Sequence, residues 1–283
     1  MARPTRIEVD ADALRHNAIR VKRCAPGRKI IAMVKANAYG CGVSAVVPAL
    51  DAHVDAFGVA CLEEARIVRQ FTSRPCVLLQ GVFQQKELSD LADAGCEPVV
   101  HHLTQLAWIL ETPLPQALRV WVKVDTGMHR LGFDVKTAKK AITALKACPW
   151  VLDNLGVMTH LASADEPHNP QNQAQLALFN QLDLSHGLFE RSISNSAAIM
   201  SCPEALADVV RPGIMLYGVS PFSDQTTASL DLKPVMQFIS EITAIHTYAP
   251  GEHVGYGGCW EAKRTSRIGV VAVGYGDGYP RHV

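Results

Sequence analysis

The sequence has no excess of either charge. Its 283 residues carry 27 lysines and arginines against 27 aspartates and glutamates, so no net field draws the chain to nucleic acid or to an anionic membrane, and any basic face has to be local. Aromatic residues are sparse at 6%, and no window approaches the roughly 18 consecutive apolar residues that mark a membrane span. The opening, MARPTRIEVDADALRHN, has no apolar stretch behind its arginines and is read as carrying no signal peptide. The eight cysteines stand singly, at Cys24, Cys41, Cys61, Cys76, Cys96, Cys148, Cys202 and Cys259, with no Cys-x-x-Cys pair. That pattern speaks against a disulfide framework and against a thiolate metal site; it fits reduced thiols used as small apolar residues, and the cytoplasm is the expected compartment.

What is present is an ordinary globular composition, 48% hydrophobic and 19% charged, long enough to bury a sizeable core. Short apolar or β-branched runs (KIIAMVK, AFGVA, CVLLQGV, EPVVHH, RVWVKVD, LGVMTHL, RSISNS and VVRPGIMLYG) alternate with segments such as LEEARIVRQF, QQKELSDLADAG and TAKKAITALKACPW, whose apolar positions recur at three and four. Strand then helix, repeated over these eight runs, predicts an α/β fold, a (β/α)8 barrel of the TIM type. From about Ser220 the texture turns polar and then β-rich without intervening helices. The expected division is a barrel over 1–233 and the first part of a β-rich domain over 234–283, with the opening residues of the chain pairing with the second domain.

In such barrels, functional side chains come from the C-terminal ends of the strands. Lys35 closes the first run, Lys123 and Asp125 the fifth, His160 the sixth, Asn195 and Ser196 the seventh, and Arg211 lies at the eighth. Polar groups at so many equivalent ends converge on one mouth, although each taken singly also reads as a solvated loop residue. A lysine desolvated by apolar neighbours is how a Schiff-base nucleophile is prepared; a snorkelling Lys35 is the alternative. The loops after the last two strands are where a barrel binds phosphate, and SNSAAIM and RPGIMLYG supply a hydroxyl at Ser196 and close backbone approach at Gly213. A helix N-cap is the other reading of Ser196. Lysine plus phosphate cradle suggests pyridoxal 5'-phosphate. Metal chemistry finds no support: His101 and His102 are adjacent on an expected strand and would point to opposite faces. GYGDGYP lacks the following helix that a dinucleotide site requires.

Seven motifs in order, VKANAYG, KVDTGMHRLGF, MTHLASAD, SNSAAIM, VRPGIMLYG, VGYGG and GYGDGYPR, resemble the alanine racemase family, pyridoxal-phosphate enzymes with a barrel and a β-rich second domain. The resemblance implies that Lys35 holds the cofactor as an aldimine and then acts as acid/base on one face of the α-carbon. Tyr256, delivered by the second domain of a partner subunit in a homodimer, acts on the opposite face. It implies further that His160 and Arg130 provide the setting for that tyrosine, Arg130 also engaging the substrate carboxylate, and that Arg211 faces the pyridine nitrogen. Tyr39, Asn195, Ser196, Gly213 and Ile214 would bind the cofactor, chiefly its phosphate, and Lys123 matches a lysine that relatives often carry carbamylated; an unmodified Lys123 paired with Asp125 is the alternative.

The implied reaction interconverts L- and D-alanine, for peptidoglycan synthesis or for alanine catabolism. The chain ends at GYGDGYPRHV, where relatives continue with strands bearing a methionine–aspartate segment and a late phosphate-binding tyrosine; a truncated chain with open strand edges is therefore expected. Two other readings stay open: a racemase or decarboxylase acting on another amino acid, and a cofactor-binding but catalytically impaired homologue.

Overall fold

The computed structural model describes residues 3–185 and 187–281. Contacts divide the chain into a unit spanning Val9–Val235 and another made of the segment ending at Glu8 and the segment beginning at Met236. After a short first strand, β1 (Arg6–Val9), eight strands form a closed barrel: β2 (Lys29–Met33), β3 (Ala56–Val59), β4 (Cys76–Leu78), β5 (Cys96–Val100), β6 (Trp121–Lys123), β7 (Leu155–Met158), β8 (Phe189–Ser192) and β9 (Val209–Val210). Neighbours run parallel, and β9 closes on β2 through Ile30 and Val210. Most of these strands are buried on both faces, which is why they read as apolar runs rather than alternating ones.

The barrel interior is filled by Ile31, Met33, Val77, Val99, Trp121, Met158 and Val209. Two glycines make room for the largest of them. A Cβ on Gly156 would stand 2.1 Å from the Trp121 ring, and one on Gly58 would stand 2.0 Å from Met33 Cε. At the N-terminal ends of the strands Trp121 Nε1 donates to Glu97 at 2.7 Å, and Arg119 bridges Glu97 at 3.4 Å to Glu190 at 2.5 Å. Lys29 closes this chain of charges on Glu190 at 2.5 Å.

The (β/α)8 barrel expected from the sequence is present, with one change in its helices. Seven strands are followed by a helix, the longest being Val135–Lys146 and Pro170–Asn180, but β9 is followed only by a 3-10 turn, Ile214–Tyr217. The eighth place is taken from the other end of the unit by the helix Ala11–Cys24, which packs against that turn and against the helix Val43–Leu50. Asp10 caps it by accepting from the Asp12 and Ala13 amides. Fully buried Asn17 anchors it, donating to Leu216 O at 3.0 Å and Lys233 O at 2.8 Å while accepting from the Lys233 amide at 2.8 Å.

His101 and His102 also differ from expectation. They lie beyond the end of β5, not on it, and their rings meet edge to face with centroids 4.8 Å apart. His102 Nδ1 caps the helix Leu103–Glu111 and His101 Nε2 pairs with Gln80 O.

The other unit is built of small antiparallel ribbons. There β11 (Ile242–Tyr248) pairs with β14 (Ser266–Val271) and β12 (His253–Val254) with β13 (Trp260–Glu261), while β10 (Met236–Ile239) pairs with β1. Arg3 holds Asp277 through two bonds of 2.5 and 2.7 Å.

Candidate active site

The C-terminal mouth of the barrel opens into a cavity of about 560 Å³ lined by Lys35, Tyr39, Lys123, Arg130, His160, Asn195, Ser196, Arg211, Gly213 and Ile214. These ten residues border one space, although they span 180 positions from Lys35 to Ile214, while Asp125, singled out with Lys123, is not among the lining residues. Tyr256 is in the other unit, at the start of the 3-10 turn Tyr256–Gly258, and is 99% exposed.

Lys35 follows β2 by two residues and opens a turn of unusual hand. Ala36, Asn37, Ala38 and Tyr39 all have φ between 52 and 55°, a left-handed helical turn that costs roughly 1–2 kcal/mol per non-glycine residue. Tertiary contacts impose it. Glu64 accepts from the amides of Ala36 and Ala60, at 2.7 Å each, and the Asn37 carboxamide accepts from Val43 N at 3.1 Å. The Tyr39 ring stacks on Tyr217 at 4.7 Å, and Tyr217 is itself fixed by donating to Met33 O at 2.9 Å. Strain so over-determined is characteristic of a functional site, and here it sets where Lys35 and Tyr39 emerge.

Arg211, immediately after β9, is buried without a carboxylate. Its Nη1 donates to Ser192 Oγ, and its Nη2 to Thr159 O, Ile193 O and His160 Nδ1, the last at 3.3 Å. Its Nε–H is left free among the described residues. Burial, then repulsion from Arg130, pulls its pKa down to about 10, so it remains a cation at neutral pH. His160 is held neutral: burial is the main cause, followed by the positive charges of Arg211, Lys123, Arg130 and Lys35. A neutral imidazole that accepts at Nδ1 carries its proton on Nε2.

Lys123, the last residue of β6, is buried, and its side chain has no hydrogen bond or ion pair among the described residues. Burial, aided by Arg211, Arg130 and Lys35, lowers its pKa to about 8 against the pull of Asp125. The expected alternative of a Lys123–Asp125 pair is not what forms. The Asp125 carboxylate instead takes the amides of Gly127 and His129 and the His129 ring, at 2.9–3.1 Å. Those bonds outweigh its burial and hold it below the usual carboxylate range.

The helix-cap reading of Ser196 is corrected. Asn195 is the N-cap, its side chain accepting from Ala198 N at 3.0 Å. Ser196 is the first helical residue and turns its hydroxyl to the β9 loop, accepting from Gly213 N at 2.8 Å and Met215 N at 3.3 Å. A Cβ on Gly213 would stand 2.7 Å from Tyr39 Oη, a hydroxyl that has no partner among the described residues. Ile214 opens its own turn, so its amide has no acceptor within it. Free hydroxyl, free amide and glycine backbone together form a cradle for a small anion. With Lys35, Lys123, Arg130 and Arg211 around one cavity, the donor set suits a ligand bearing phosphate and carboxylate groups, and pyridoxal phosphate fits it. Asp165 also lines the cavity; the reading of the sequence missed it, and its place in MTHLASAD, five residues after His160, is the signal that was there to be used.

Comparison with known proteins bears on this geometry. Residues 9–221 match the alanine racemase N-terminal domain and residues 235–283 the alanine racemase C-terminal domain. The alanine racemase of Legionella pneumophila (strain Lens) is 56% identical over 284 residues, covering all of this chain and 79% of that protein. The alanine racemase of Nitrosococcus oceani is 47% identical over 97% of this chain and 76% of its own length. Among solved structures, the biosynthetic alanine racemase of Pseudomonas aeruginosa superimposes with a TM-score of 0.94 at 43% identity, over 99% of this chain and 78% of that one. The alanine racemase of Acinetobacter baumannii gives 0.92 at 42%, over 99% and 79%. Lysine at the strand end, anion cradle and caged arginine thus occur in a chain that belongs to the alanine racemase family of pyridoxal-phosphate-dependent isomerases.

Proposed function

We propose that this chain interconverts L- and D-alanine with pyridoxal phosphate held in the barrel mouth, the observation that carries the reading being the convergence of Lys35, Arg211, Ser196 and Gly213 on one cavity. The cofactor, when bound, supplies an electron sink for the pair left on the substrate α-carbon. The residues of the chain do the rest. Lys35 holds the cofactor and moves a proton at one face of the α-carbon. Tyr39, Ser196, Gly213 and Ile214 bind the phosphate, with Asn195 fixing the start of the helix behind them. Arg211 would face the ring nitrogen of the cofactor and, staying protonated, would donate a hydrogen bond there without giving up the proton, which would moderate the electron sink.

Racemisation needs a second base on the opposite face. We assign that role to Tyr256 of a second copy of the chain in a homodimer; its full exposure leaves it free to enter a partner's mouth. Neutral His160 and cationic Arg130 favour the phenolate it must form, and Arg130 also takes the substrate carboxylate. A carbamate on Lys123 would give Arg130 an anion to align against, and an amine with its pKa lowered to about 8 has the free base that carbon dioxide needs.

The test is incubation of the chain with pyridoxal phosphate and L-alanine in heavy water, following α-proton exchange and D-alanine together. Both signals are expected, and both should fall by about 10²–10⁴-fold or more in Lys35→Ala. Cofactor binding with neither signal would favour the impaired homologue.

A further inference from the structure

The helix Pro170–Asn180 carries a polar residue on its core side. Gln175 is 1% exposed and lies among Leu176, Phe179 and Asn172, a place where an apolar side chain would be expected. Its carboxamide is used on both sides. Oε1 accepts from Ala162 N at 2.9 Å, while Nε2 donates to His160 O at 3.0 Å and to Thr126 Oγ1 at 3.2 Å. The reversed amide would set oxygen against the His160 carbonyl and N–H against the Ala162 amide, so only one orientation satisfies the site.

From Gln175 the bonds run in one direction. Thr159 Oγ1 donates to Val124 O at 2.9 Å, so it accepts from Thr126 Oγ1 at 2.8 Å, and Thr126 in turn accepts from Gln175. Both threonines are buried, at 1 and 2% exposure. Thr159 O and the His160 ring are meanwhile taken by Arg211. The peptide of His160 is therefore clamped from the barrel side by Arg211 and from the helix side by Gln175, and the same glutamine ties it to the loop after β6 that carries Arg130. Gln171, one turn earlier, reinforces the tie by donating to Gly127 O at 3.0 Å.

We propose that Gln175 is a positioning residue that, through the His160 carbonyl and the Thr126–Thr159 hydroxyl relay, holds the His160 ring where its Nδ1 meets Arg211 and thereby fixes its orientation and Nε2–H tautomer at the cavity. The molecule provides its own control. Gln105, 2% exposed on the helix Leu103–Glu111, spans two other loops in the same manner, donating to Gln80 O and Val82 O and accepting from His101 N at 2.8–3.1 Å. It bonds neither His160 nor Thr126.

The test is the ring ¹⁵N pattern of His160 in the full chain, assigned by its loss in His160→Gln, for wild type, Gln175→Met and Gln105→Met. Wild type and Gln105→Met are expected to show one Nε2–H tautomer, and Gln175→Met a mixture of the two. A single Nε2–H pattern in Gln175→Met overturns the proposal. If Gln175→Met does not fold, Gln175→Leu removes the same three bonds with a different apolar shape, and the same mixture is expected there. Failure of both to fold would assign Gln175 to folding alone and would equally overturn it. A kinetic arm rests on the racemase reading: kcat should drop by about a hundredfold with KM for alanine unchanged. Because the tautomer is read without turnover, an inactive chain with a mixed tautomer would sink the racemase reading and leave this one standing.

Discussion

The two ends of the barrel treat charge in opposite ways. At the N-terminal end Lys29, Glu190, Arg119 and Glu97 alternate in sign and each touches the next. Burial would raise the Glu190 pKa, but bonds from Lys29 and Arg119 outweigh it and hold Glu190 low; Glu97, deeper and sharing Arg119, stays raised by burial despite that partner and Trp121. At the C-terminal end Lys35, Lys123, Arg130 and Arg211 surround one cavity, none with an ion pair among the described residues. The first end is complete within the chain. The second gathers four cations around a cavity that one carboxylate, Asp165, also lines, an arrangement suited to binding anions.

Arg119→Met should do most to break that comparison. It leaves Glu97 with no cation among the described residues and Glu190 with Lys29 alone, and removing one partner of a buried charge network costs about 3–5 kcal/mol. Urea unfolding would measure it, and a loss near zero would mean that the closed end is not held by its ion pairs. Gly156→Ala tests the same end by sterics instead of charge: with Trp121 fully enclosed and its ring 2.1 Å from the new methyl, destabilisation of up to about 3 kcal/mol is expected. An unchanged midpoint would show that the Trp121 layer yields.

The smallest effect belongs to the mouth and has the opposite sign. Lys123→Met should stabilise the fold at pH 7 by roughly 1 kcal/mol, since one unit of pKa depression is worth about 1.4 kcal/mol and the open cavity screens part of it. The folded chain releases the Lys123 proton at about 8, against 10.5 ordinarily. The penalty is therefore full below pH 8 and fades as pH rises toward 10.5, where wild type and variant converge. A gain that grew across that window in urea titrations would contradict the assignment.

Much of this was legible in the sequence, for identifiable reasons. Buried parallel strands leave apolar runs, so most barrel strands could be marked, β8 (Phe189–Ser192) being partly exposed and overlapping the expected RSISNS run only at Arg191 and Ser192; Lys35, Lys123 and Arg211 stood out as charged residues at or within such runs. What was not legible depended on contacts between distant residues. The left-handed turn at 36–39 contains no glycine, and it is imposed by Glu64 and Tyr217, 28 and 178 positions beyond Ala36 and Tyr39. The eighth helix was sought after β9 and is found before β2, because Asn17 recognises backbone rather than any sequence pattern. The Glu97–Arg119–Glu190 chain and the Gln175 clamp join side chains whose spacing carries no periodic signal.

The N-terminal helix in that eighth place imposes an order of events on the ribosome. Its bonds from Asn17 reach partners 199 and 216 residues further on, which at synthesis rates of about 5–20 residues per second arrive roughly 10–40 seconds later. For that interval Leu14, Ala18 and Val21, all buried in the finished barrel, have the helix Val43–Leu50 to pack against but not the turn Ile214–Tyr217. The first helix made is thus among the last to be fully seated, and one side of its apolar stripe stays uncovered while the rest of the barrel is synthesised.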